Sequence, residues 1–390
     1  MQGKPENSCQ SNQPRRLLNH LNLSTLPGDP PTVPPLIGVL EGTGIGPEVV
    51  GAALQVLAAV GEMLDLEFKV EPGPELREQP VTADRLSLSN ALTGFCADIF
   101  QRGGAILNGP CGGRYVYDLR RRFDLFCKFV PVRSFPELAD AGRLAPQFAR
   151  NIDLLIVRDN IGGVYQGRWS EHKTAAARVA EHSFAYDEAE VSRLVTVAAR
   201  AAAERRGDLH VILKDGGVPA ISALWRDVAV RAARQHSVET DFINIDLAAY
   251  ELIQNPGRFD VIVAPNLFGD VMADVAGVLM ASRGVTFSGN FDPTGHGVYQ
   301  TNHGCAHDLA GLDVANPAGQ ILSLAMLLRE SLGLFEAATL VEESLRRVWC
   351  EGWRTADLGG GNDDRTIGTR AMTDKVVETM MRTAAAGQPA

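Results

Sequence analysis

The sequence predicts an α/β fold, and three observations carry that expectation. Short apolar runs of strand character alternate with longer segments whose apolar residues recur at helical spacing. The chain has 390 residues and is 45% hydrophobic, enough for two or three domains at roughly 150 residues each. No internal repeat interrupts the alternation. Strands separated by helices imply layered packing with much parallel pairing.

In chain order, residues 1–35 are rich in Pro, Asn and Ser and lack the apolar core of a signal peptide. They read as a flexible tail with at most one short helical turn at Leu17–Leu21. "LIGVL" (36–40) is the first strand, followed by "GAILNG" (104–109), "DLLIVRD" (153–159), "HVILKD" (210–215), "DFINID" (241–246) and "DVIVAPN" (260–266). A helix starts at Pro47, whose missing N–H costs nothing in a first turn. "DEAEVSRLVTVAARAAAERR" is a second, amphipathic one. From Asn316 the chain is expected to be nearly all helical, through "AGQILSLAMLLRES" and "AATLVEESLRRVW" to a frayed "AAAGQPA" end.

The net charge is −10 and no long basic run occurs, which argues against a nucleic-acid partner. Charges, Gly or Pro interrupt each apolar stretch before the roughly 18 residues a membrane span needs, so no membrane partner is expected. Six cysteines without a CxxC pair point to reduced thiols in a cytoplasmic protein.

Several short motifs hold candidate chemistry. "LEGTGIGPEVV" places Gly42, Gly44 and Gly46 between a strand and a helix. The spacing is not G-x-G-x-x-G and no acid closes a second strand, so the turn is tight without being a Rossmann phosphate loop. Asp270 and Asp274, four apart, share one helix face. Alone they repel by a few tenths of a kcal/mol. A hard cation would reverse that sign, whereas the helix dipole accounts for Asp270 only; both readings stay open at this point. "LRRRFDLFCKFVPVRSFP" gathers Arg120, Arg121, Arg122, Lys128 and Arg133, either as an anion pocket or as a solvated face. In "VRDNIGGVYQG", Arg158 and Tyr165 flank a Gly-Gly turn, and "VILKD" ends a strand at Lys214, an acid/base group or a snorkelling edge residue.

Taken together with "NID", "NLFGDVMADVAG", "NHGCAHDLAG" and "ANPAGQIL", these motifs stand in one order over residues 36–330. In that order they resemble the metal-dependent β-decarboxylating dehydrogenases, the family of isocitrate, homoisocitrate, 3-isopropylmalate and tartrate/D-malate dehydrogenases. The resemblance implies a two-domain α/β fold distinct from Rossmann. A large cofactor-binding domain would be built from both chain ends (36–125 and 281–390), and a small domain (126–280) would carry the dimer interface and the metal and catalytic residues. It implies a homodimer with shared active sites. Asp270 and Asp274, with Asp246 of the partner subunit, would hold Mg²⁺ or Mn²⁺. Lys214, also reaching across, would be the general base, and Tyr165 the acid that protonates the enolate carbon. Arg120 and Arg158 would hold the substrate carboxylates, with Arg133 and Arg114 as further candidates. His303, Gly304, Ala306, Asp308 and Asn316 would bind the cofactor, with Gly44 and Ile45 at its nicotinamide end. An acid at Asp308 repels a 2′-phosphate and so favours NAD over NADP. The implied reaction is NAD- and metal-dependent oxidative decarboxylation of a 3-substituted (2R)-malate-type hydroxy acid. The alternative is a catalytically weakened regulatory homologue, against which the complete set Lys214, Tyr165, Asp246, Asp270 and Asp274 speaks.

Several positions depart from the family pattern. Thr43 stands for an Asp, Val130 for a third substrate arginine, Gly216 for an Asn, Gln300 for a Glu and His307 for a Pro. With Val130 there, either the substrate differs or another cation, such as Arg114 or Lys128, takes the load. "NGPCGGRYVYDL" offers Arg114, Tyr115 and Tyr117 in place of an aliphatic pair, which predicts a polar or anionic substituent at C3. His303, Cys305 and His307 crowd three ligands into five residues, a spacing ill suited to zinc.

Overall fold

The computed structural model describes residues 16–21, 34–78, 88–145, 151–359 and 365–387. Twelve strands follow in chain order: β1 Leu36–Leu40, β2 Lys69–Pro72, β3 Ala105–Asn108, β4 Cys127–Arg133, β5 Asp153–Asp159, β6 Arg168–Lys173, β7 Arg178–Ser183, β8 Asp208–Leu213, β9 Glu239–Asn244, β10 Val261–Ala264, β11 Phe287–Phe291 and β12 Gly297–Thr301. The helices are α1 Gly46–Leu64, α2 Asn90–Gln101, α3 Tyr115–Arg122, α4 Glu188–Ala203, α5 Pro219–His236, α6 Ile245–Gln254, α7 Asn266–Leu279, α8 Ala318–Glu330, α9 Phe335–Cys350 and α10 Thr369–Gly387.

Among the described residues ten strands form one sheet in the order β2-β1-β3-β12-β11-β4-β5-β10-β8-β9, and β6 and β7 pair as a separate hairpin. Both flanks of the sheet are parallel, whereas β12–β11–β4–β5 is an antiparallel centre. β1, β3 and β10 are buried on both faces, the pattern of parallel strands covered by helices on either side. "DFINID" divides otherwise than expected: β9 ends at Asn244 and Asp246 lies in the first turn of α6. β2, β4, β11, β12 and the hairpin carry no motif that announces them as strands.

α8 is buried almost all round, from Ala318 to Leu328, and packs on β11 and β12 with α1 and α9 beside it. α1 buries Val49, Val50, Ala53, Val56, Leu57 and Val60 at helical spacing. Its length and apolar composition would suffice to cross a membrane, an exception to the expectation. Here that apolar face is spent on α8, α9 and α10.

The flexible-tail expectation for 1–35 needs correction in part. Leu17–Leu21 form a 3₁₀ turn packed on α4, and Leu18 is fully buried. The Leu18 N–H donates to Glu330 Oε2 at 3.3 Å, and the Arg16 guanidinium lies 5.1 Å from the centroid of the Phe335 ring. Residues 1–15 and 22–33 lie outside the described set. At the other end α10 runs through Gly387 instead of fraying from residue 384, and the last three residues lie outside that set.

Candidate active site

β5, β10 and β8 run parallel and end side by side at Arg158–Asp159, Ala264 and Leu213. Asn266 opens α7 directly after β10, which brings that helix across the end of β5. Gly269 permits the approach: a Cβ there would stand 2.7 Å from Arg158 Cγ. The Arg158 side chain is only 2% exposed, donates to Asn266 Oδ1 at 2.9 Å and pairs with Asp270. Tyr165, in a 3₁₀ turn after β5, donates its hydroxyl to Asp270 Oδ2 at 2.9 Å. The Asp159 carboxylate accepts the Ile161 and Gly162 N–H groups and so shapes the turn that carries Tyr165. Burial raises that carboxyl to about 6.

Two more cations join this group. Arg120, on α3, is buried, and its Nε has no hydrogen-bond partner among the described residues. Lys128, on β4, pairs in register with Arg158, so both side chains leave the sheet on the same face. It is 3% exposed, and among the described residues its ammonium makes no hydrogen bond or ion pair. Burial, then Arg120 and Arg158, push Lys128 well below an ordinary lysine. Burial and Arg158 lower Arg120 to about 10. Burial works against ionisation of Asp270, yet Arg158, Lys128 and the Tyr165 hydroxyl keep it below the usual carboxylate range. Burial and Asp270 push Tyr165 upward, so its proton stays in place. Three buried basic side chains stand against the half-buried carboxylate of Asp270, with the buried Asp159 carboxyl behind them, a group that an anionic ligand would complete.

Asp274 lies one turn on from Asp270 and pairs with Arg283 at 3.1 Å. Lys214 Nζ donates to Asp246 Oδ1 at 2.7 Å, and both side chains are exposed. Within one chain the oxygens of Asp246, Asp270 and Asp274 do not converge; the Glu78, Cys305 and His307 ligand atoms, by contrast, lie within 4.8 Å of one another. Thr43 Oγ1 donates to Glu78 Oε1 at 2.7 Å and His307 Nε2 meets the same oxygen at 2.8 Å. Two departures from the family pattern thus meet in one network that ties the glycine turn to the 303–307 loop.

Two arginine expectations are corrected. Arg133 does not join the group. It is five residues along β4 from Lys128, an odd offset that turns it to the other face at the far end of the strand. There it pairs with Glu342 at 3.0 Å and packs on Phe135. Arg114 reaches the edge of the site, but its guanidinium donates to the Tyr165 carbonyl at 2.9 Å and pairs with Asp118. Tyr115 is buried and donates to Asn108 Oδ1 at 2.8 Å, so it turns into the core and not toward a ligand. Tyr117 lies 5.1 Å from Tyr165, ring to ring.

On the cofactor side a cavity of about 410 Å³ is lined by Ile45, His303, Gly304, Ala306 and Asn316, five of the expected residues. Gly44 has φ +61°, and a Cβ there would stand 2.1 Å from the Cys305 carbonyl oxygen. The Ile45 N–H donates to that oxygen at 2.9 Å. Burial lowers His303, leaving a neutral ring beside the cavity. Asp308 is exposed and does not line the cavity; the acid that does is Asp357, which accepts from Asn316 Nδ2 at 3.1 Å and from Ser282. Apolar walls from Ile45, Leu309 and Val314 with a few polar groups suit a nucleoside. Sequence reasoning singled out none of Asp357, Arg283 and Asn266. The last two lie in or just beyond "NLFGDVMADVAG", where their proximity to the Asp pair was the available signal.

A buried basic cluster at the carboxyl ends of parallel strands, beside a cavity walled by a glycine turn, is the place where an α/β fold carries its ligand clefts. A model of the isocitrate/isopropylmalate dehydrogenase family matches residues 36–376. The chain is 35% identical over 367 residues to a 3-isopropylmalate dehydrogenase of Burkholderia thailandensis, covering 88% of this chain and 99% of that one. A 3-isopropylmalate dehydrogenase of Bordetella pertussis matches at 35% over 366 residues, with the same coverage. Among solved structures, isocitrate dehydrogenase from Methylococcus capsulatus superposes with a TM-score of 0.76 at 26% identity, covering 89% of this chain and 99% of that one. The chain belongs to the isocitrate/isopropylmalate dehydrogenase family, and at that level it is an oxidatively decarboxylating dehydrogenase.

Proposed function

We propose that this enzyme oxidises and decarboxylates a 3-substituted (2R)-malate-type hydroxy acid with NAD and Mg²⁺ or Mn²⁺. The observation that carries this reading is the buried cluster Arg120, Arg158 and Lys128 beside Asp270, with the Tyr165 hydroxyl at its edge. Arg120 and Arg158 grip carboxylates of the substrate. Lys214 of the partner subunit takes the proton of the C2 hydroxyl, and Tyr165 returns one to the enolate carbon left when CO₂ departs. Asp270, Asp274 and Asp246 of the partner subunit would hold a hard divalent ion, which when bound would supply positive charge beside the developing enolate oxygen, and NAD in the neighbouring cavity would be the hydride acceptor.

Support for the shared site comes from an apolar surface. Leu247 and Tyr250 on α6, and Leu267, Val271 and Val278 on α7, are exposed large hydrophobics on two helices that pack together. Asp274 lies on the α7 stripe between Val271 and Val278, and Asp246 is next to Leu247. A two-fold contact through this face makes a homodimer in which Lys214 and Asp246 complete the neighbouring site. The same reading assigns 36–125 with 281–390 to a large domain and 126–280 to a small one, and a cytoplasmic setting to the whole.

NADH formation with a panel of (2R)-malate, 3-isopropylmalate, isocitrate and D-tartrate, run with and without Mg²⁺ and repeated with NADP, tests the proposal. We expect metal-dependent NADH formation with at least one member and a fall in kcat of about 10²-fold or more in Lys214→Ala. A Lys214→Ala enzyme as fast as the parent removes Lys214 from the mechanism. Highest activity on 3-isopropylmalate removes the expected polar C3 pocket.

A further inference from the structure

We propose that Lys128 is the third cation of the substrate site and replaces, from two residues earlier on the same strand, the arginine that Val130 lacks. This rests on the hydroxy-acid reading above. β4 side chains alternate, so Lys128 and Val130 share a face, the one on which Arg158 stands opposite Lys128 in register. Because β4 runs antiparallel to β5, its Lys128 end is the end where Arg158, Asp270 and Tyr165 meet. A cation rooted at 128 therefore starts about 6.6 Å nearer the site than one rooted at 130. Val130 is itself only 1% exposed and offers the site no charge.

Nothing in the fold explains the ammonium otherwise. Lys128 is 3% exposed, and among the described residues it has no hydrogen-bond or ion-pair partner. A buried charge without a partner is costly, and evolution retains such groups where a ligand supplies the partner. The charges facing it are Arg120 from α3, Arg158 from β5, and Asp270 and Asp274 from α7, so the deficit it adds to is one of negative charge. A ligand with two carboxylates, one for the arginines and one for the lysine, removes that deficit. Lysine also differs from the arginine it replaces, offering a compact point charge in place of a planar fork. The carboxylate it holds needs no fixed bidentate orientation.

The test is calorimetric binding of (2R)-malate and of 3-isopropylmalate in the presence of Mg²⁺ and without NAD, alongside steady-state kinetics. Lys128→Met and Lys128→Gln are compared with the parent, with Lys128→Arg, and with the double variant Lys128→Asn/Val130→Arg, which moves the cation back. We expect the Met and Gln variants to bind both dianions about 30-fold more weakly. Their KM for NAD should stay within about threefold of the parent, and their kcat/KM for the hydroxy acid should fall in step with the lost affinity. Lys128→Arg and the transposed double variant should recover most of the lost affinity. Parental affinity in Lys128→Met or Lys128→Gln overturns the proposal. So does a loss confined to Mg²⁺ half-saturation, which would make Lys128 a counter-ion of Asp270 and Asp274 only. A parent that turns over a panel member while its Lys128 variants bind normally sinks this inference alone. A parent that binds neither dianion and oxidises no panel member sinks the hydroxy-acid reading with it.

Discussion

At Gly44 the chain adopts a left-handed turn with the Cys305 carbonyl pressed against it, so an added methyl has no room to move into. Gly44→Ala should raise the KM for NAD tenfold or more while leaving dianion affinity within about threefold, because the turn walls only the cofactor side. Equal losses on both sides in paired kinetic and calorimetric measurements would contradict that placement. Residue by residue, the site was legible where a motif fixed the spacing. Asp270 and Asp274 share a helix face, and Arg158 and Tyr165 around a glycine turn meet Asp270, because helix and turn geometry are local. Arg133 was misplaced because its strand, β4, gives no clear alternation: apolar residues occupy both faces of a central strand, and the parity that separates Arg133 from Lys128 stays hidden until the register is known. The split of Lys214–Asp246 from Asp270 and the wall residue Asp357 depend on contacts between distant segments, which spacing does not encode.

Elements were most readable where period and length agreed, as in α1, α4, α8 and α9, and least where a strand was short or served an antiparallel centre, as in β11 and β12. The turn Leu17–Leu21 is a case where tertiary packing orders a segment whose composition reads as tail. Its anchor, Glu330 at the end of α8, is nearly fully buried, and burial raises its carboxyl from 4.5 to about 7. Between those values the folded chain holds a proton that the unfolded chain has released, so this group's contribution to stability is lost as pH rises through the window. Glu330→Gln keeps an acceptor for the Leu18 N–H and does not titrate. In urea denaturation it should flatten the fall in stability between pH 5 and pH 7, a difference of up to about 3 kcal/mol. Parallel stability curves for the two proteins would refute the assignment.

For the whole molecule, the decisive question is whether one chain holds a complete site. Lys214→Ala and Tyr165→Phe homodimers should both be nearly inactive. If Lys214 serves the neighbouring chain, a heterodimer of the two keeps one site with both groups intact and recovers up to about half the parental turnover. No recovery in co-expressed, separately tagged hybrids would place Lys214 and Tyr165 in the same chain's site. The mixed ten-stranded sheet runs unbroken between the buried basic cluster and the cavity beside the glycine turn, and Arg283 links the two. Arg283 lines the cavity beside the glycine turn and at the same time pairs with Asp274. Any divalent ion that claims Asp274 sets this arginine loose toward the cavity, and any cofactor phosphate that attracts it lays Asp274 bare. Under the proposed metal and cofactor loading the two events would be thermodynamically reciprocal, each tightening the other by the same factor.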